Sequence, residues 1–124
     1  MHLRGRHPLL TQRWRQHRAE DLAIPLTVYA ELLVGAEKSS QPERVLQQIE
    51  TLLEAHEIVE LTEEVAEHYA RIRADLETRG TVIGSNDLWI AATALAHGAV
   101  LVTNNSAEFS RVNGLTIEDW TQNP

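Results

Sequence analysis

The sequence predicts an α/β fold with a mainly parallel sheet and helices on both of its faces, and three observations carry that expectation. Helix-period and strand-like segments alternate along the chain from residue 22 onward. The run Ala99-Val100-Leu101-Val102 is continuously apolar, the pattern of a strand covered on both sides. No two-residue turn such as Asn-Gly joins two alternating runs; Asn113-Gly114 comes nearest, and Val112 alone precedes it. A length of 124 residues fits one domain over residues 1–124, with no repeat, low-complexity stretch or linker.

Each element has its own signal. Pro8 to Arg18 sets Leu10 and Trp14 four residues apart among arginines, which predicts a helix with one narrow apolar stripe. Leu22-Ala23-Ile24, closed by Pro25, predicts a short strand. From Leu26 to about Lys38, Val28, Leu32 and Ala36 recur at helical spacing, and Glu31 is expected on a different face of that helix. A break at Ser39-Ser40-Gln41 precedes a helix from Pro42 to about Ala55, with proline suited to its first turn. Glu57 to Leu61 alternates as a strand does. Thr62 is the expected N-cap of the next helix, with Glu63 and Glu64 in its first turn and Val65, Tyr69, Ile72 and Leu76 as its stripe; Gly80 is its stop. Ser85 is expected to cap a helix that runs to about His97, and its near-continuous apolar content from Leu88 to Ala96 predicts burial on more than one side. The strand at Ala99–Val102, a short helix near Ala107 to Arg111 and a last strand near Leu115 to Glu118 complete the chain.

Composition excludes several chemistries. With no cysteine, disulfides, thiolate metal sites and cysteine nucleophiles are absent, and a cytoplasmic chain is expected. The six histidines form no ligand-spaced pair. The longest apolar stretch is too short to span a bilayer, so no membrane association is expected. A net charge of −7 argues against a dedicated nucleic-acid binder, but its distribution does not: Arg4, Arg6, Arg13, Arg15 and Arg18 precede every acid in the chain. This arm reads either as a phosphate-contacting edge, with Arg13, Arg15 and Arg18 as candidate substrate contacts, or as the solvated face of an amphipathic helix.

Candidate chemistry gathers at three places. In an open parallel sheet, ligands bind beyond the carboxyl ends of the strands, where Thr103, Asn104 and Asn105 fall. Asp87 lies in the first turn of a buried helix, where the helix dipole favours its ionised form, although acids are common there without any function. Glu31 alone reads as a surface glutamate. Jointly, the two acids match the one or two carboxylates that a magnesium-type cation takes beside water and phosphate.

The residues also carry a resemblance. Ala30 to Ser39 (AELLVGAEKS), Arg71 to Glu77 (RIRADLE), Ile83 to Ala92 (IGSNDLWIAA) and Leu101 to Asn105 (LVTNN), continued by Glu108 to Val112 (EFSRV), resemble the VapC toxins of the PIN-domain ribonucleases, in that family's order and over roughly residues 22–121. The resemblance implies a three-layer α/β/α PIN-like domain, a Mg²⁺- or Mn²⁺-dependent endoribonuclease of a type II toxin–antitoxin system, an RNA substrate, a VapB-like antitoxin and a homodimer. It implies that Glu31 and Asp87 are metal ligands, with Thr103 and Asn105 completing the catalytic set and Asn104 touching substrate. Asn105 occupies the position where many members carry an aspartate, and Glu108 is the nearest acid able to replace it.

Members of the family usually begin with a hydrophobic central strand ending in a metal-binding aspartate, whereas this chain reads Met1-His2-Leu3-Arg4-Gly5. The N-terminal strand and the first acid are therefore expected to be missing, which would open two inner sheet edges and weaken cation binding. The alternative expectation is a catalytically impaired module that keeps the fold and binds antitoxin or RNA without cleavage. A doubly wound signalling domain with one acceptor aspartate fits less well, because no acid ends an early strand.

Overall fold

A computed structural model describes residues 2, 3 and 22–119. Five strands form one sheet: β1 (His2–Leu3), β2 (Leu22–Pro25), β3 (Glu57–Val59), β4 (Val100–Val102) and β5 (Ile117–Glu118), in the order β3-β2-β1-β4-β5 with every pairing parallel. Helices α1 (Leu26–Lys38), α2 (Pro42–Ala55), α3 (Glu63–Arg79), α4 (Ser85–Ala96) and α5 (Ser106–Phe109) fill the connections. This is the expected three-layer α/β/α class. The arginine-bearing helix predicted at Pro8 to Arg18, with Arg13, Arg15 and Arg18, lies outside the described residues.

Among the described residues, the centre of the sheet is held by His2 and Leu3 of β1. His2 pairs with Leu22 on one side and Val100 on the other, and Leu3 pairs with Ala23 and Leu101. The expectation of two open inner edges is thereby corrected over these registers, although neither His2 nor Leu3 brings an acid. From β1 the chain winds outward through β2 to β3, then returns beyond β1 to β4 and β5. That reversal of strand order puts a ligand crevice at the carboxyl ends of the strands beside β1.

Helix ends follow their local chemistry. The Thr62 hydroxyl accepts from Val65 N at 3.3 Å and caps α3, and Gly80 closes the same helix with φ +68°, a left-handed conformation that costs glycine nothing. Ser85 is not a cap. Leu88 N already donates to Gly84 O at 2.9 Å, so the helix starts one residue earlier than expected and Gly84 holds the cap position without a side chain. The strand expected through Leu61 stops at Val59, because its partner β2 ends at Pro25 and offers no further ladder. Ala99 is left out of β4 because its N–H is spent on Ala94 O at 2.9 Å, finishing the turn after α4.

The core sits between the sheet and the α3–α4 pair. Val65, Ile72 and Leu76 of α3 meet Leu88, Ala91 and Ala92 of α4, all buried, and the run of small residues lets α4 approach closely. As expected, α4 is buried on more than one side: Leu88, Ile90, Ala91, Ala92, Thr93 and Ala94 are all inside. Among the described residues, no helix is long and apolar enough to cross a membrane.

Candidate active site

Three segments bring the predicted polar side chains to a cleft of about 880 Å³ at the carboxyl end of the sheet. Glu31 from α1, Asp87 from α4, and Thr103, Asn104 and Asn105 from the turn after β4 line it together. The structure thus collects every described residue predicted for the site. One orientation is corrected. Glu31 was expected on a different face from Val28 and Leu32, but Val28, Glu31, Leu32 and Gly35 all line the cleft, as the i, i+3, i+4, i+7 stripe of a single helix face does.

Asp87 is the electrostatic centre of this arrangement. Its place in the first turn of α4 favours ionisation by about 0.3–1 kcal/mol through the helix dipole. Opposing terms win: burial, then a hydrogen bond with the Glu108 carboxyl, then the charges of Glu108 and Glu31 push its pKa up to about 6. Glu108 reaches this position because α5 carries it one turn beyond Asn105, whose Nδ2 donates to Glu108 Oε2 at 3.3 Å. Position 105 itself is an amide, and the nearest carboxyl, that of Glu108, stands against Asp87. Asn86, adjacent to Asp87, donates from Nδ2 to Glu31 Oε1 at a long 3.4 Å and links α4 to α1.

The turn after β4 is built on backbone and hydroxyl bonds. Thr103 N donates to Glu118 O at 3.1 Å, continuing the bonding to β5, and the Thr103 hydroxyl accepts from Asn105 N at 3.0 Å. That hydroxyl keeps its own proton for another acceptor. Part of the cleft carries no functional signal in the sequence: Val45, Ile49 and Leu52 of α2 line it as apolar side chains. Their helical spacing is indistinguishable from that of a buried stripe.

A Mg²⁺-type cation suits the donor set, which is all oxygen, and none of the ion pairs among the described residues involves Glu31, Asp87 or Glu108. Among the described residues, no three acidic or histidine side chains stand close enough to enclose an ion by themselves. Glu31 and Asp87 are the residues that could offer the one or two direct carboxylates magnesium usually takes.

Residues 2–115 match the PIN domain family. The chain belongs to that family. This PIN domain is 41% identical over 116 residues to Ribonuclease VapC2 of Haemophilus influenzae, covering 93% of this chain and 87% of that protein. It is 40% identical over 119 residues to the tRNA(fMet)-specific endonuclease VapC of Salmonella typhimurium, covering 96% of this chain and 84% of that one. Among solved structures it is similar to a chain of the DNA-bound VapBC complex of Salmonella typhimurium, with a TM-score of 0.87, 34% identity and 96% of each chain covered. These VapC relatives bear out the resemblance read from the AELLVGA, IGSNDLWIAA and LVTNN segments.

Proposed function

We propose that this PIN domain is the toxin of a type II toxin–antitoxin pair, an endoribonuclease that uses Mg²⁺ or Mn²⁺ and is restrained by a VapB-like antitoxin. The observation that carries the reading is that Glu31 and Asp87, from two separate helices, line one cleft, with Glu108 from a third segment against Asp87, whose pKa is raised first by burial and then by Glu108 and Glu31. Uncompensated negative charge at the mouth of a cleft is a cost unless a cation offsets it. Asp87 and Glu31 hold the ion, and Glu108 adds charge beside Asp87. When bound, such an ion supplies Lewis acidity at a phosphoryl oxygen.

The chain's own groups do the rest. Asn86 steadies Glu31, Asn105 steadies Glu108, and the Thr103 hydroxyl donates its free proton toward a phosphate oxygen. Asn104, exposed on the cleft rim, contacts the substrate backbone, and Arg13, Arg15 and Arg18 extend that contact. VapC proteins appear as endonucleases and in VapBC complexes, which supports both RNA and antitoxin as partners; a homodimer is the expected form of the free toxin.

The test is cleavage of a mixed RNA pool with Mg²⁺, with Mn²⁺ and with chelator, repeated with a cognate antitoxin and with Arg13, Arg15 and Arg18 changed to glutamine. Cleavage should require the cation and stop with antitoxin. The glutamine variant should bind RNA with a flatter salt dependence, each lost phosphate contact lowering the slope by about 0.7–0.9. Cleavage undiminished in chelator removes the metal, and an unchanged salt slope removes the arginines from the interface.

A second reading has its own support: neither residue of β1 is acidic, Asn105 is neutral, and among the described residues no three acids stand close enough to enclose an ion. On that reading the fold binds antitoxin or RNA without cutting. RNA binding with no cleavage under any cation selects it.

A further inference from the structure

Glu108 is held against Asp87 by an arm that has little structure of its own. Helix α5 is four residues long, far below the length at which a helix is stable alone. Two apolar anchors, Phe109 and Val112, are buried beneath the arm. Its far end is fastened by a polar node. Arg79, in the last turn of α3, donates from Nη2 to Asp75 Oδ2 at 2.6 Å and to the Arg111 carbonyl at 2.5 Å, with Nε on the same Asp75 oxygen at 3.1 Å. Asn113 Nδ2 reaches that Asp75 oxygen at 3.5 Å, and Arg111 Nη1 reaches the Val82 carbonyl at 3.4 Å, two residues before the turn that starts α4.

The geometry points to Arg79 as a positioning residue for Glu108: its guanidinium ties the arm to α3 and so sets where the Glu108 carboxyl stands relative to Asp87. Nη2 alone bonds both Asp75 and the Arg111 carbonyl while Nε adds a second donor to Asp75; a lysine ammonium sits one bond nearer the backbone and has no second nitrogen, so it does not reproduce the set. Val82 receives Arg111 from the same node, so the two segments that carry Glu108 and Asp87 share one anchor. The inference rests on the proposed cation-dependent reaction for its kinetic consequence, not for its structural one.

The test is a double-mutant cycle of Arg79→Gln and Glu108→Gln, with Arg79→Lys beside it, read by Mn²⁺ affinity, kcat and KM on RNA, thermal midpoint and amide exchange. Arg79→Gln should weaken Mn²⁺ binding about fivefold and lower kcat about tenfold with little change in KM. In the Glu108→Gln background it should change either by less than twofold, while the thermal midpoint falls equally in both backgrounds. Arg79→Lys should behave as Arg79→Gln does. Equal losses of affinity in both backgrounds, or full rescue by lysine, overturn the assignment and leave Arg79 a helix-end cation. If the parent protein neither binds Mn²⁺ nor cleaves RNA, the proposed function fails and amide exchange decides the positioning role. Exchange at Phe109 and Ser110, whose N–H groups bond Asn105 O and Ser106 O, should then quicken about tenfold in Arg79→Gln with Ile72 and Leu76 unaffected, and unchanged exchange overturns the role.

Discussion

Asp87→Asn is expected to lower cation-dependent RNA cleavage by about a hundredfold or more, the scale on which loss of one preorganised electrostatic contact is felt at a reacting group. Asparagine keeps the shape and its place in the first turn of α4 but carries no charge for the ion. The same change should stabilise the cation-free protein at neutral pH. Asp87 has a folded pKa of about 6, pushed up first by burial and then by Glu108 and Glu31, above the ordinary carboxylate value. Between about pH 4 and pH 6 the folded state therefore binds more protons than the unfolded chain, and this group's contribution to stability falls as pH rises through that window. The sign is opposite to that of a salt-bridged aspartate. The expected size is about 1 kcal/mol, reduced from the full linkage value because the carboxylate is only partly buried and water screens it. Melting temperatures from pH 4 to 8, with and without Mn²⁺, check this: the parent should lose stability relative to Asp87→Asn as pH rises, and Mn²⁺ should restore it in the parent alone. Full cleavage by the variant, or parallel melting curves at every pH, removes Asp87 from the site.

Leu88→Ala should be the most damaging single truncation beside the site. Leu88 is 1% exposed and packs in the cluster that joins α4 to α3, so its removal leaves a cavity where neighbours have little room to collapse. Such changes cost about 2–5 kcal/mol, a large part of the 5–15 kcal/mol that holds a small domain together. Val34→Ala, at a position 51% exposed, should stay within about 0.5 kcal/mol and serves as the control. Urea unfolding midpoints separate the two. A Leu88→Ala midpoint within experimental scatter of the parent would mean that α4 does not depend on this packing.

Much of the architecture was legible because apolar spacing reports directly on burial. The stripe Val65, Ile72, Leu76 and the dense run from Leu88 to Ala96 gave helices α3 and α4 and the two-sided burial of α4. Thr62 and Gly80 were legible for a different reason, since a hydroxyl cap and a left-handed stop are local chemistry that needs no tertiary context. β1 was not legible: two residues carry no periodicity, and only pairing with Leu22–Ala23 and Val100–Leu101 makes them a strand. Of the site, the polar turn after β4 and Asp87 could be read from their place at the edge of buried elements. The direction of Glu31 could not, because an acid within an i, i+3, i+4, i+7 stripe looks like an interruption of it until a cleft is seen beside it. Glu108 was recognised as the nearest acid to Asn105, but its contact with Asp87 depends on how α5 folds back over that turn.

The separation of the site's parts along the chain has a kinetic consequence. Asn86 and Glu31, which bond to each other, are 55 residues apart in sequence, and the helices carrying them are brought together over a sheet of parallel pairings, where loop-closure entropy is spent before contacts compensate. Repulsion among the carboxylates is thus absent from the early, locally structured chain and arises only after the sheet has closed. It acts on the native side of the folding barrier, so it shortens the lifetime of the folded state and leaves the rate of reaching that state nearly untouched. A bound cation should accordingly show itself in the unfolding limb of a chevron plot, and equal shifts in both limbs would mean that the acids meet before the sheet does.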